Sequence, residues 1–149
     1  MTKHLVLAGT VLALGAATFA VLQFQPSPHQ PVATPETTST TAMVAVTQPA
    51  VHSELAQMGK RAFEATCAAC HGDNAAGQEG VAPPLVHKIY EPGHHSDMAF
   101  FMAVDNGVRA HHWAFDNMPP VAGLTKGDVK AIVAYVRELQ RENGIFLNA

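Results

Sequence analysis

The chain has 149 residues, enough for one domain plus an accessory segment. It carries 9 Lys and Arg against 12 Asp and Glu, a net charge of −3 with histidine neutral. Lys3 and Glu36 are the only Asp, Glu, Lys or Arg residues before residue 50, so the acidic balance lies beyond it. That balance argues against nucleic acid, which needs a basic face, and permits a basic protein partner.

Lys3 and His4 precede an uncharged stretch from Leu5 to Phe24, rich in Leu, Val and Ala. This pattern predicts an export signal over residues 1–24. The apolar run approaches the ~20 residues needed to span a bilayer and exceeds a usual secretory core of ~7–15. Thr18-Phe19-Ala20 is a tolerable but poor cleavage site. The segment therefore reads as an uncleaved anchor with a cytoplasmic N-terminus, ahead of the alternative of a removed signal peptide. Residues 25–51 have no periodic apolar face. Pro26, Pro28, Pro31, Pro35 and the run Thr37-Thr38-Ser39-Thr40-Thr41 favour an extended tether.

A first helix is predicted from about Ser53 to Thr66, capped by Ser53, with Leu55, Ala56, Gly59, Ala62 and Phe63 at helical spacing. Glycine inside a helix costs ~1 kcal/mol against alanine, so Gly59 implies close approach of another helix.

Cys67-Ala68-Ala69-Cys70-His71 follows, and it contains both cysteines of the chain. C-x-x-C-H is the attachment signature of c-type haem. Two thiols three positions apart on a helical turn can each form a thioether with one haem vinyl group. The next residue can then bring an imidazole nitrogen to the iron. Gly72 lets backbone pass close to the porphyrin edge. A redox disulfide would sit near a βαβ pattern, which is absent, and a zinc site would need more ligands than one Cys pair.

A middle helix is predicted from about Ser96 to Asn106, with Met98 and Met102 as core residues. The last helix is predicted from about Thr125 to Asn143. Thr125 and Asp128 form a capping box, and Val129, Ile132, Val133, Val136 and Leu139 form a buried stripe beside Ala131 and Tyr135. Gly144 suits the position after the helix. The remainder is loop punctuated by Gly and Pro, with no strand alternation.

Residues 53–144 resemble the class I c-type cytochromes, in particular the small monohaem proteins of bacterial respiratory chains. The resemblance rests on Gly59, Phe63 and the C-x-x-C-H-G run; on Ala82-Pro83-Pro84-Leu85; on Asn117-Met118-Pro119-Pro120; and on Gly123-Leu124-Thr125 opening a helix that carries Tyr135. It implies an all-α, cytochrome c-like fold over residues 52–149, with three or more helices around one haem c attached through Cys67 and Cys70. It implies His71 as proximal and Met118 as distal iron ligand, with two prolines stiffening the Met118 loop. Pro83 matches the proline whose carbonyl accepts from the proximal imidazole, and Leu85 would pack on the haem. Arg109 and Trp113 are candidate donors to a haem propionate. The pairs His94-His95 and His111-His112 are expected as exposed loop residues. The alternatives are a distal ligand from His111 or His112, or a peripheral copper or zinc site.

The function expected from these residues is single-electron transfer without catalysis, in a periplasmic, membrane-tethered monomer. The donor would be a quinol-oxidising complex or dehydrogenase, and the acceptor an oxidase or reductase. The rival readings are a haem enzyme or sensor with a displaceable distal ligand, and a metal-handling module built on the histidine pairs.

Overall fold

The computed structural model describes residues 42–146. The anchor expected over residues 1–24 and most of the tether lie outside the described residues. Among the described residues there are four α-helices, α1 (Glu54–Thr66), α2 (Ala68–His71), α3 (Asp97–Asn106) and α4 (Lys126–Glu142), with 3-10 turns at Asp73–Ala75 and Lys88–Tyr90. The described residues contain no strand, only isolated bridges joining Gln78 to Ala82 and Val108 to Met118. None of their helices is long and apolar enough to cross a membrane.

Helix α1 starts where Ser53 can cap it: the Ala56 N–H donates to Ser53 Oγ at 3.2 Å. Its buried face is Ala56, Gly59 and Phe63. Leu55, expected on that face, is instead largely exposed. Helix α4 opens on the expected capping box, with Asp128 N–H donating to Thr125 Oγ1 (3.2 Å) and Thr125 N–H to Asp128 Oδ2 (2.9 Å). It closes in a Schellman arrangement. Gly144 sits at φ +74, its N–H donates to Arg141 O (3.1 Å), and Ile145 N–H donates to Gln140 O (2.8 Å).

The two helices cross at Gly59. A Cβ there would lie 1.8 Å from Ala131 O, so only glycine admits this approach. Around the crossing, Phe63 packs on Tyr135 with ring centroids 5.6 Å apart, and Ile132, Val136 and Leu139 complete the core with Ala56.

Three features depart from the sequence expectations. Met98 is exposed, 63%, while Met102 lines the cleft, and α3 meets the core through Phe100 instead. Residues 42–51, expected as the end of the tether, meet the domain. Met43 and Val44 N–H both donate to Ala76 O (3.2 Å), and Thr47 exchanges two hydrogen bonds with Asn143 (2.9 Å each). Arg137 and Gln140 are buried on α4. Arg137 donates to Asp97 Oδ1 (2.8 Å), Tyr90 O (2.7 Å), Gln140 Oε1 (2.6 Å) and His95 O, and its guanidinium lies 5.0 Å above the Phe100 ring. A buried cation is tolerated when its donors are satisfied, and this one ties the segment before α3 to α4.

Candidate haem-binding site

The motif Cys67–His71 forms a short helical turn after α1. Cys70 and His71 N–H both donate to Cys67 O, at 3.1 and 2.9 Å. The turn's carbonyls are held from outside: Gln78 Nε2 donates to Ala68 O (3.1 Å) and Ala69 O (2.9 Å). No local sequence signal identified Gln78, whose part depends on the loop folding back. Gly72 leaves the turn at φ +72, where a Cβ would meet Gly77 O at 2.6 Å. No disulfide joins Cys67 and Cys70. Burial raises the Cys67 thiol above its ordinary value, and the Cys70 charge adds to this against a hydrogen bond from Thr66.

His71 is fixed by its neighbour. Its Nδ1 lies 2.9 Å from Pro83 O. A carbonyl only accepts, so Nδ1 carries the proton and Nε2 keeps its lone pair. Burial lowers the His71 pKa, opposed by the Pro83 hydrogen bond, so the ring is neutral near pH 7. Pro83 is held in turn by the buried Pro84, whose ring packs where a Gly77 Cβ would stand.

Met118 lies at the end of a pinned loop. Val108 and Met118 exchange two backbone hydrogen bonds of 2.9 Å, and Asn117 Oδ1 accepts from Ala110 N–H at 2.9 Å. Gly107, at φ +73, lets the neck close: a Cβ there would meet Met118 O at 2.4 Å. Pro119 and Pro120 follow directly.

Cys67, Cys70, His71, Pro83, Leu85, Trp113 and Met118 all line one mostly apolar cleft of 710 Å³. That is within the range of about 300–1,000 Å³ usual for cofactor pockets. Arg109 is not among its walls. It is exposed, and its carbonyl accepts from His111 Nδ1 at 2.8 Å, while Ala110 to Trp113 after it line the cleft. Trp113 does reach the cleft. Its Nε1 is buried and makes no hydrogen bond of normal geometry, with the Tyr90 hydroxyl as its neighbour. A buried N–H so placed in an apolar cleft suits an acceptor on a bound group.

These features fit a haem c. They provide two thiols three positions apart, one imidazole with a free nitrogen, a thioether, apolar walls and one unpaired donor. Of the two candidate propionate donors, Trp113 lines the cleft and Arg109 does not.

The all-α fold and this donor set define a c-type cytochrome domain. Residues 56–140 match the family model Cytochrome c, and the chain belongs to that family. Membership carries covalently bound haem and haem-based electron transfer as the family's general business. No curated protein matches the chain.

Proposed function

We propose that the protein is a single-electron carrier with one haem c, attached through Cys67 and Cys70 and ligated axially by His71 and Met118. The observation that carries this reading is the convergence of those four side chains on one apolar cleft, with the His71 tautomer set by Pro83. Haem supplies a ferric–ferrous couple when bound, and a neutral thioether ligand favours the ferrous side relative to a second histidine. The chain's own part is to fix and to exclude. Pro83 orients His71, the Val108–Met118 neck sets the height of Met118, and Leu85 and Phe100 contribute apolar walls that keep water from the cleft. With both axial positions filled, no substrate reaches the iron, so the protein carries electrons rather than catalysing a reaction.

The same reading places the domain in the periplasm, tethered through residues 1–24, as a monomer. Its donor is a quinol-oxidising complex or a dehydrogenase and its acceptor an oxidase or reductase. Such docking is brief and uses small interfaces.

The test is the near-infrared spectrum of the ferric holoprotein, wild type against Met118→Ala. A sulfur-to-iron charge-transfer band present in the first and absent in the second supports His71/Met118 ligation. A wild type without the band, or one whose ferrous form binds carbon monoxide readily, would overturn it.

A further inference from the structure

Four histidines meet at the rim of the cleft, outside the set that would hold a haem. His94 and His95 come from the segment before α3, and His111 and His112 from the loop that ends in Met118. One nitrogen from each of His94, His95 and His112 lies within 4.8 Å of the other two. His94 Nε2 and His112 Nε2 are 3.3 Å apart. Two imidazole nitrogens bound to one tetrahedral metal at about 2.0–2.1 Å are about 3.3 Å apart. That pair therefore stands at ligand spacing, and the third ring needs only a small side-chain adjustment.

His95 is also oriented for the purpose. Its Nδ1 donates to Ile89 O at 2.7 Å, which leaves Nε2 with its lone pair free. The hydrogen bond from His111 Nδ1 to Arg109 O does the same for His111 Nε2. The His111 ring lies 4.2 Å from that of His112, beside the site and outside the three whose nitrogens converge. The cluster contains no carboxylate or thiol, which disfavours calcium, magnesium and soft monovalent ions and leaves the imidazole-binding divalent metals.

We propose that His94, His95 and His112 form a surface site for a divalent transition metal, Zn²⁺ or Cu²⁺, that staples the segment before α3 to the Met118 loop. The two halves are far apart in sequence, and His95 and His112 both border the cleft. His95 is held rigidly through its carbonyl by Arg137, so a bound metal would transmit that rigidity to the loop carrying Met118. Because His95 and His112 are also part of the cleft wall, the site belongs to the haem-loaded protein and is tested there.

The experiment is calorimetric titration of the ferric, haem-loaded full chain with Zn²⁺ alone and with Cu²⁺ alone, paired with amide hydrogen exchange. One equivalent of each should bind with micromolar or better affinity, Cu²⁺ the tighter by the usual divalent order. His94→Ala, His95→Ala and His112→Ala should each weaken binding at least tenfold, and His29→Ala should leave it unchanged. Zn²⁺ should slow exchange at Ala110 and Met118 in the wild type but not in His112→Ala. Unchanged visible spectra would show that the variants remain folded. No saturable binding, or equal affinity in the three variants, would overturn the site. Binding that leaves exchange at Ala110 and Met118 unaltered would overturn the staple.

Discussion

Replacing Gly59 by alanine tests the packing logic of the fold, because two effects of opposite sign act on one methyl group. Helix propensity favours alanine by about 1 kcal/mol. Against it, the new Cβ would lie 1.8 Å from Ala131 O, 2.3 Å from Ala131 C and 2.8 Å from Ile132 N, whereas real Cβ contacts stay beyond 3.0 Å. All three obstacles are α4 backbone, so no rotamer change relieves them. The helices must part by more than 1 Å at the crossing. A gap of that size forfeits a quarter to a half of each dispersion contact along the seam, which includes Phe63 on Tyr135. With overpacking typically costing about 1–3 kcal/mol and the loosened seam added, the expected net loss is about 3 kcal/mol. The assay is urea denaturation of the ferric holoprotein followed by far-ultraviolet circular dichroism. Gly127→Ala is the internal control. Gly127 is exposed in the first turn of α4 and its Cβ would meet only Thr125 Oγ1, at an ordinary 3.5 Å. There the propensity term acts nearly alone, and stability should rise by about 0.5–1 kcal/mol. A Gly59→Ala protein as stable as the wild type would refute the close-crossing account.

Gly107→Ala should push Met118 O away from the Val108 neck, and the ferric charge-transfer band should weaken while the four helices remain, as read by circular dichroism. Arg137→Met should destabilise the domain by about 2–4 kcal/mol in urea, since it strands the His95 carbonyl and the Gln140 amide oxygen and leaves the Tyr90 carbonyl only its bond from Gln140 Nε2. Asp97→Asn should cost less than about 1 kcal/mol, because the Asp97 carboxylate is mostly exposed. Tyr135 has its hydroxyl pKa pushed up to about 12, first by burial and then by the negative charge of Glu64. Neutral tyrosine is the form the fold prefers, so this contribution is complete below the ordinary value of 10 and is lost as pH rises toward 12. Urea midpoints measured between about pH 9 and 12 should fall in the wild type and stay flatter in Tyr135→Phe.

Local chemistry was legible in the sequence, and convergence was not. The capping box at Thr125, the glycine after α4 and the small residue at the helix crossing were readable because each acts within one turn or through one missing side chain. The turn at Cys67–His71 was readable for the same reason, since its spacing is itself the geometry. Arg137 was not foreseen: on a helix whose stripe already had enough apolar residues, an arginine reads as solvated. Its burial follows from the carbonyls of Tyr90 and His95 and the Asp97 carboxylate, which only the tertiary fold assembles around it. The exposure of Met98 and Met102 has the opposite origin. Their spacing suits a buried face, but α3 presents Phe100 to the core, turns Met102 to the cleft and leaves Met98 outside. Arg109 and Trp113 stand four residues apart in one loop, and sequence alone gave no means of telling which would turn inward.

The paired hydrogen bonds between Val108 and Met118 have a consequence for how this protein could diverge. They close the loop at its base, so the position of Met118 is set chiefly by the neck and by the Asn117–Ala110 bond just above it. The exposed side chains between, such as Arg109, are thereby exchangeable. Their charge can change through substitution while the sulfur stays where it is, provided Gly107, Trp113, Asn117 and the two prolines are kept. Selection could rework the outer face for a new partner without renegotiating the distal contact.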